Sequence, residues 1–313
     1  MLGSDLGVYL PATIDRPALA AAVQRLEDER YHSVWFTETD LVRDPVVHAA
    51  AASVLSEELV VGVGLVNVWR QLPASLATTV ANVSALAAGR HWVVLGPWHE
   101  PAATKAGVRR HHLIEAMRDT TIIVRGLLRG ETVTHEGPVY AVHELAMPGR
   151  AGAADVPLLW GANGPRMVAE AAELTAAGLI DGVMINYLTP VERVREIIAL
   201  VTSAAIEAGR GPGTLKFPIA LIVLPDDDRH RAVEQMRSLI EGTAVLRAEM
   251  HLSPDAAVTY ELVEQRVAAG TAAQCQARIQ EYLDAGAWPV ALYNREPQTL
   301  MDRLSQSPSQ GDP

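Results

Sequence analysis

The sequence contains a single cysteine, Cys275, among 313 residues. One cysteine excludes an intramolecular disulfide and a zinc site built from several cysteines, and it is typical of proteins that work in a reducing compartment. Cys275 lies in the helical pattern AAQCQARIQEYL, where we expect it to pack in the core. We therefore expect a cytoplasmic protein.

Dense runs of lysine and arginine are also missing. The chain has 26 basic and 37 acidic residues and a formal net charge of −11, so it offers no basic footprint for nucleic acid or an anionic membrane. No apolar run approaches the length of a membrane span. The N-terminus also lacks the charged start and apolar core of a signal peptide. We expect a small-molecule substrate as partner, and neither nucleic acid nor membrane.

No G-x-G-x-x-G motif follows the first apolar run, which argues against a dinucleotide-binding fold. Short apolar runs instead alternate with alanine-rich amphipathic segments, as in a parallel sheet with helices outside it. The predicted strands are 6–10, 33–37, 59–64, 91–95, 156–160, 179–185, 215–224 and 288–292. The predicted helices are 17–29, 44–56, 73–88, 107–129, 165–177, 190–208, 227–249 and 271–286. This repeat predicts an α/β protein with a closed (β/α)8 TIM barrel.

Two segments depart from the bare repeat. Residues 131–147 alternate in polarity around a Glu-Gly-Pro turn, which predicts an inserted β-hairpin. Residues 226–270 are too long for one helix and predict extra helices before the last strand. We expect residues 1–304 to form one barrel domain with these insertions, and residues 305–313 to form a flexible polar tail.

Chemistry in such a barrel is carried by residues at the C-terminal ends of the strands. These ends carry Pro11, Ala12, Glu38, Thr39, Asp40, Leu65, Asn67, Trp69, Arg70, Gly96, Pro97, Trp98, His99, Glu100, the turn 161–164, Asn186 and Tyr187. Glu38 is a candidate proton-transfer group, or a carboxylate paired with a neighbouring arginine. His99 is the histidine best placed on this face. The histidines show no shared ligand spacing, so we expect no metal site.

Aromatic and amide side chains on the same face suit a planar ligand. Trp69 and Trp98 follow strands three and four, where an aromatic wall can stack on a ring. Asn67 could hydrogen-bond a ring carbonyl or cap a loop. His112 opens the fourth long helix, on the surface or at the rim of the pocket. The predicted substrate pocket therefore contains Trp69, Trp98 and His112.

The segment VPLLWGANGPRMVAEAAELTAAGLIDGVMIN at 156–186 carries the strongest local pattern. An apolar strand ends in Gly161-Ala162-Asn163-Gly164, and a helix follows at Pro165, since proline suits the first helical position. The free N–H groups and the dipole of a helix start favour a bound phosphate. An ordinary tight turn between strand and helix is the alternative.

Six segments in this order resemble the luciferase-like monooxygenase superfamily, above all its F420-dependent, methylenetetrahydromethanopterin reductase-like branch. The segments are GVYLP at 7–11, SVWFTE at 33–38, DPVVHAAAASVLSEELVVGVGLVN at 44–67, PASLATTVANVSALAAGRHWVVLG at 73–96, the segment at 156–186, and AAGTAAQCQARIQEYLDAGAW at 268–288. Each is common alone, and their order and spacing make the match specific.

The resemblance implies a barrel that binds the deazaflavin F420, or alternatively the flavin FMN, at the C-terminal ends of its strands. It implies a phosphate held by the turn at 161–165, a bulge or cis peptide at 64–67 behind the cofactor ring, and a homodimer. The predicted cofactor residues are Gly64, Asn67, Gly161, Ala162, Asn163, Gly164 and Asn186.

Two strand ends depart from the family pattern. A histidine common after strand two is replaced here by Thr39, and strand four ends in Gly96-Pro97-Trp98 where the family leaves space with Leu-Gly-x-Gly. Glu38 and His99 are therefore the predicted catalytic residues for proton transfer. The leading prediction is an F420-dependent oxidoreductase that transfers a hydride to or from a small organic substrate. An FMN-dependent monooxygenase and a non-catalytic barrel that binds a ligand or partner remain alternatives.

Overall fold

Runs rich in valine, leucine and tryptophan form the strands, because β-branched and aromatic side chains pack well in a buried sheet. The computed structural model describes residues 5–11, 13–38, 44–148, 153–250, 252–253, 255–292 and 297–305. The strands are β1 Gly7–Tyr9, β2 Ser33–Phe36, β3 Val60–Asn67, β4 His91–Gly96, β5 Val133–Glu136, β6 Ala141–Leu145, β7 Leu158–Gly161, β8 Val183–Met184, β9 Pro218–Pro225, β10 Ala268–Gly270 and β11 Trp288–Leu292.

Helices follow most of these strands and begin at polar or proline signals. Asp15 and Asp44 accept backbone hydrogen bonds at the starts of the first two helices, as N-cap residues do. The helices are α1 Arg16–Asp28, α2 Pro45–Leu55, α3 Pro73–Leu86, α4 Glu100–Lys105, α5 Leu113–Leu128, α6 Pro165–Ala176, α7 Val191–Glu207, α8 Arg229–Glu241, α9 Ala244–Glu249, α10 Tyr260–Glu264, α11 Ala272–Asp284 and α12 Pro297–Ser305. No helix in the described ranges is long and apolar enough to cross a membrane.

The main sheet is parallel and curls into a barrel. Its strand order is β10-β9-β11-β1-β2-β3-β4-β7-β8. Parallel bridges from Gly182 to Lys216 and from Ile185 to Ile219 join β8 back to β9, so the ring closes through β1, β2, β3, β4, β7, β8, β9 and β11. The predicted (β/α)8 barrel is confirmed, and β10 extends β9 outside the ring.

Side chains from most strands of the ring fill the interior. They are Tyr9, Trp35, Trp92, Val94, Leu159, Met184, Ala220 and Val290. Strand β3 has glycines at two inward-facing positions, because the Trp35 ring and the Met184 side chain fill the space that larger side chains would need there. A Cβ on Gly62 would lie 2.3 Å from Cδ2 of Trp35, and one on Gly64 would lie 2.8 Å from the sulfur of Met184. The barrel is therefore a packed core up to the level of Gly64.

The two insertions lie where the sequence predicts them. Strands β5 and β6 pair as an antiparallel hairpin before β7. Helices α8, α9 and α10 follow β9 and enclose a smaller apolar cluster that includes Leu188, Ile222, Val233, Met236 and Val263. This second cluster borders the C-terminal end of the barrel, where the site lies.

Several predicted boundaries were wrong. The strand predicted at 179–185 shortens to β8 because Gly178 and Gly182 have φ of +71° and +140°, which breaks extended geometry. The helix predicted at 107–129 begins only at Leu113, since Gly107 and His112 also have positive φ. Strand β10 and helix α12 were not predicted. Residues 306–313 of the predicted tail lie outside the described residues.

Candidate active site at the C-terminal ends of the strands

A cavity of about 740 Å³ opens at the C-terminal ends of the barrel strands, within the usual size of small-molecule sites. Most of the predicted site residues line it together. They are Glu38, Gly64, Asn67, Trp98, His99, Gly161, Ala162, Asn163, Gly164 and Asn186. Parallel strands carry these residues to one edge, which explains why the strand-end rule finds them.

Two predicted pocket residues do not line this cavity. Trp69 packs instead against Tyr140 of the hairpin, with ring centroids 6.5 Å apart, and against His111 at 6.1 Å. His112 is exposed at the start of α5, where it has a φ of +53°. The prediction failed for Trp69 because the hairpin, inserted far along the chain, covers that side of the β3 end.

The carboxylate of Glu38 is held from two sides. Its Oε1 lies 3.0 Å from the guanidinium of Arg70, and its Oε2 accepts a hydrogen bond of 2.7 Å from the amide of Asn67. Only 6% of the Glu38 side chain is exposed. The structure thus shows the ion-paired alternative for Glu38, in which both oxygens act as acceptors. Thr39, Asp40 and Ala12, also named from the strand ends, lie outside the described residues.

Both polar atoms of the Asn67 side-chain amide make hydrogen bonds to nearby groups of the protein. Its Oδ1 accepts a hydrogen bond of 3.0 Å from the backbone N–H of Trp69, while its Nδ2 donates to Glu38. Asn67 therefore caps the loop after β3, which is one of the two roles predicted for it. Its side chain still lies at the cavity wall, although it is 3% exposed.

The back wall of the cavity is apolar and is formed around Leu65. The Gly64–Leu65 peptide is cis, and the β3–β4 register shifts between Gly64 and Val66, so the irregularity that the resemblance implies is present. Leu65 lies across the neighbouring strand ends. A Cβ on Gly96 would be 2.6 Å from it, and one on Gly161 would be 2.4 Å away. Those two glycines make room for the leucine.

Tyr9 and Met184 complete this wall, and strand-end reasoning missed both. The hydroxyl of Tyr9 donates a hydrogen bond of 3.0 Å to the carbonyl of Gly64 and lies 3.5 Å from the sulfur of Met184. Burial raises the pKa of Tyr9 well above its ordinary value, so its phenol stays protonated. Each is the last residue of a short buried strand, β1 or β8, a signal that the sequence does contain.

The start of α6 faces the same cavity. Gly164 is the N-cap residue, no side chain caps this helix within the described residues, and a Cβ on Gly164 would meet nothing within 4 Å. The amide of Ala162 donates to the carbonyl of Met184 at 3.2 Å, so this N–H group is not available to a ligand, contrary to the prediction. The anion-binding geometry is limited to Asn163, Gly164 and the first helical turn.

Two groups near this turn were missed by sequence reasoning. The hydroxyl of Thr189 lies 3.1 Å from Oδ1 of Asn163, and the guanidinium of Arg193 lies 3.4 Å from the Asn163 carbonyl. Arg193 also pairs with Glu196 at 2.8 Å. Both residues stand around the start of α7, directly after β8, so the strand-end rule could have included them.

The 226–270 insertion forms the opposite wall. Met236, Leu239 and Leu246 contribute apolar side chains from α8 and α9. Glu249, the last residue of α9, accepts a hydrogen bond from the amide of Asn186. Asn186 also accepts from the backbone N–H of Tyr187 at 3.0 Å. No pattern in the sequence connects Glu249 to Asn186, which lies 63 residues earlier.

Trp98 and His99 close the cavity beside β4. Trp98 is 8% exposed and lines the cavity, and its carbonyl accepts a hydrogen bond from the guanidinium of Arg110. His99 is the exposed N-cap residue of α4. The indole thus narrows the space beside the strand, and the imidazole stands at the lip.

Comparisons with known proteins agree with this geometry. A curated relative, the 5,10-methylenetetrahydromethanopterin reductase of Methanolobus tindarius, is 24% identical over 83% of this chain and 85% of its own. The coenzyme F420 dependent tetrahydromethanopterin reductase of Methanopyrus kandleri superposes with a TM-score of 0.76 at 18% identity, over 93% of both chains. The oxygenating constituent of 3,6-diketocamphane monooxygenase from Pseudomonas putida, in complex with FMN, gives 0.70 at 17% identity, over 96% of this chain and 95% of that one.

The luciferase-like monooxygenase family model matches residues 4–288. That range contains seven of the eight strands of the ring, the first residue of β11, and every cavity residue named above. The chain belongs to the luciferase-like monooxygenase family.

Proposed function

We propose that this protein is an F420-dependent oxidoreductase that transfers a hydride between the deazaflavin and a small organic substrate. One observation carries the proposal: an apolar wall around Leu65 and a helix start at Gly164 without a side-chain cap line the same cavity. A tricyclic ring packs against an apolar wall, and a phosphate binds at a helix start with free N–H groups. The coenzyme F420 dependent tetrahydromethanopterin reductase that superposes on this chain supports this choice, and so does the similarity in sequence to a 5,10-methylenetetrahydromethanopterin reductase.

The residues present fit such a cofactor. The cavity volume of about 740 Å³ holds a ring system with room for a second small molecule. The open space at the Cβ position of Gly164 lets a phosphate approach the backbone closely, and the dipole of the twelve-residue helix α6 favours its charge. Arg193 stands next to this turn as a cation.

In this proposal Gly64, Asn67, Gly161, Asn163, Gly164 and Asn186 hold the cofactor. Leu65 and Met184 shape the surface against which the ring would rest, and the Tyr9 hydroxyl fixes the carbonyl of Gly64 behind it. Reduced F420 supplies the hydride when bound, and the protein supplies position and electrostatics. Trp98 limits the space left for the substrate.

We assign proton exchange at the lip of the cavity to His99. Glu38 and His99 both line the cavity, but Glu38 is engaged by Arg70 and Asn67. An imidazole is suited to both giving and taking a proton near neutral pH. Glu38 acts in this scheme as the acceptor that orders Asn67 and Arg70 beside the substrate space.

We further propose a single-domain homodimer in the cytoplasm. Val47 and Val54 lie seven residues apart on α2 and are each 64% exposed, and Leu72 at the start of α3 is 65% exposed. Exposed apolar side chains that share one face of a helix, as Val47 and Val54 do, favour burial against another chain. Light scattering on the wild type and on Val54→Lys tests this: the wild type should have twice the mass of one chain, and the variant should dissociate.

Parallel titrations with F420 and FMN test the cofactor. The readout is intrinsic tryptophan fluorescence, because Trp98 lines the cavity. Saturable F420 binding that is at least tenfold tighter than FMN binding supports the proposal. Tighter FMN binding would favour the second candidate, an FMN-dependent monooxygenase, which the FMN-bound neighbour also supports. Binding of neither would leave a barrel without a flavin-type cofactor and overturn both.

A further inference from the structure

The insertion side of the cavity forms an apolar chamber. This name stands for the part of the cavity lined by β9, β11, α8 and α9, through Ile222, Leu224, Met236, Leu239, Leu246 and Leu292. These side chains range from buried, as Met236 is, to 46% exposed in Leu239. Apolar side chains that remain partly uncovered along the wall of a cavity favour an apolar ligand.

Two polar side chains beside the chamber are engaged within the protein. The amide nitrogen of Asn186 donates a hydrogen bond to the carboxylate of Glu249, and its oxygen accepts one of 3.0 Å from the backbone N–H of Tyr187. Glu249 also makes a further interaction beyond that bond. Asn186 and Glu249 therefore hold each other in place, and the argument for a ligand contact falls on Tyr187.

Tyr187 lies where the chamber meets the barrel. Its side chain packs both on the apolar cluster of the insertion and on the cluster that fills the barrel interior, and it lines the cavity. Within the described ranges its hydroxyl has no hydrogen-bond partner and is not sealed in the core. Burial and the nearby Glu249 carboxylate raise the pKa of Tyr187 to about 12, so at neutral pH the phenol keeps its proton and can donate it in a hydrogen bond.

We propose that the substrate is an uncharged molecule with an apolar body and one acceptor oxygen, such as a ketone. Its body lies in the apolar chamber, and its oxygen accepts a hydrogen bond from Tyr187. This rests on the proposed function, in which the cofactor ring lies against Leu65 and the substrate lies beside it. Apolar groups gain free energy when they leave water for such a chamber. A carboxylate would lose its hydration there, and the six apolar side chains of the chamber cannot hydrogen-bond it in return.

Three methyl ketones test the chamber. The probes are 2-octanone, the shorter 2-pentanone, and 7-oxooctanoate, which has the length of 2-octanone but ends in a carboxylate. They are titrated at neutral pH into the full-length protein, with and without F420, and ligand-observed NMR gives their Kd values. 2-Octanone should bind at least about tenfold tighter than either of the others, because it buries three more methylenes than 2-pentanone and carries no charge. Equal or tighter binding of 7-oxooctanoate would overturn the inference.

Leu239→Lys is the informative variant for the chamber, because Leu239 lines the cavity and is exposed enough to be replaced without disturbing the core. The added ammonium should bring the Kd values of 2-octanone and 7-oxooctanoate to within about threefold of one another. Leu200→Lys is the matched control: Leu200 is 48% exposed on α7, outside the cavity, and its replacement should leave the preference intact. An unchanged preference in Leu239→Lys, or an equal loss in Leu200→Lys, contradicts the assignment.

Tyr187→Phe tests the contact to the oxygen, because phenylalanine keeps the ring and removes only the hydroxyl. The Kd values of 2-octanone and 2-pentanone should both rise about three- to tenfold, with their ratio unchanged, since one hydrogen bond is lost from each. Tyr260→Phe is the control: Tyr260 stacks on His230 at 5.0 Å, away from the cavity, and its replacement should leave both Kd values unchanged. Unchanged affinities in Tyr187→Phe would overturn the assignment of the oxygen to Tyr187.

The F420 titration separates this inference from the proposed function. Binding of 2-octanone should persist with F420 bound, because the chamber lies apart from the wall around Leu65. If F420 binds and displaces 2-octanone, the ketone occupies the place of the ring and the chamber assignment is wrong. If F420 does not bind, the proposed function fails, and the series without cofactor still decides whether the chamber selects uncharged apolar ligands.

Discussion

The carboxylate of Asp119 on helix α5 accepts a hydrogen bond of 3.0 Å from the backbone N–H of Tyr140 in the hairpin. The same carboxylate accepts from the N–H of Val139 at 2.9 Å and lies 2.8 Å from Nε2 of His135. A Cβ on Gly137 would lie 2.0 Å from it, so only glycine fits there. The hairpin is thus fixed to the barrel at one buried side chain.

This attachment extends to the cavity. The hydroxyl of Tyr140 donates to the carbonyl of Val68 at 3.0 Å, and its ring packs on Trp69. The backbone N–H of Trp69 donates a hydrogen bond to the side chain of Asn67, and the amide of Asn67 donates to the carboxylate of Glu38. The hairpin therefore supports the loop that holds the Glu38 carboxylate at the wall.

Replacing Asp119 should destabilise the protein strongly. Asp119→Ala leaves three donors without their acceptor in a place where the aspartate is 2% exposed, and buried donors that lose a charged acceptor cost about 2–4 kcal/mol in total. The melting temperature should fall by about 5–10 °C, measured by circular dichroism. Tyr140→Phe removes only the hydrogen bond to Val68 and should cost about 1 kcal/mol. Equal losses in the two variants would contradict the attachment.

His91 should make stability depend on pH. It is fully buried at the start of β4, and burial lowers its pKa from 6.5 to about 4. The unfolded chain binds a proton there below about pH 6.5, whereas the folded chain does so only below about pH 4. The free energy of unfolding should therefore fall by up to about 3 kcal/mol as the pH is lowered from about 6.5 to about 4. Denaturant unfolding at several pH values measures this. His91→Gln should remove that part of the slope, and an unchanged slope would refute it.

Gly164→Asp should weaken cofactor binding by at least about tenfold, because it places a negative charge where a phosphate approaches the start of α6. The matched control is Gly164→Ala, since a Cβ at this position meets nothing within 4 Å and adds no charge. F420 titration of both variants provides the measurement. Equal affinities for the two would remove the anion site from the start of α6.

The sequence predicted the parts of the site that depend on the sheet alone. Glu38, Asn67, Trp98 and the turn beginning at Gly161 follow from one rule, that parallel strands bring their C-terminal ends to one edge. Glu249 could not be predicted this way, because it comes from the inserted helix α9, which packs against α8, and α8 in turn packs against β9.

The same limit explains the other misses. Trp69 follows a strand as predicted, but which side of the loop faces the cavity depends on a hairpin some seventy residues later. The short β8 depends on Gly182, because a Cβ at that position would lie 2.0 Å from the carbonyl oxygen of Lys216. The local sequence pattern predicts where a strand ends. Segments distant in sequence decide which side of that strand end faces the cavity.

Trp98→Ala should change substrate range more than stability, because the indole lines the cavity and its removal extends an existing space. The comparison is Trp160→Ala, which removes a side chain that is 0% exposed and donates to Thr121 at 2.7 Å. That change should cost about 3–5 kcal/mol. Melting curves and the binding of larger ring ligands distinguish the two. A loss of stability in Trp98→Ala that equals the Trp160 loss would show that Trp98 is a core residue.

The last prediction concerns the proton. Hydride transfer to a C=C or C=N bond leaves a basic atom that must take up a proton, and general acids contribute about 10²–10⁴-fold to such steps. His99→Ala should lower turnover by that order and leave the Kd for F420 within about twofold, because His99 lies at the lip rather than at the start of α6. Oxidation of F420H2 followed by its absorbance gives the turnover, and direct titration gives the Kd.

Glu38→Gln separates a proton donor from a positioning residue. If Glu38 only orders Asn67 and Arg70, glutamine retains an oxygen that accepts from Asn67, so turnover should fall less than about tenfold and its pH profile should keep the wild-type shape. If Glu38 delivers the proton, the loss should match that of His99→Ala and one limb of the profile should disappear. A loss below tenfold in both variants would move the proton to water or Tyr187, because the other phenol at the wall, Tyr9, already donates its hydrogen to the carbonyl of Gly64.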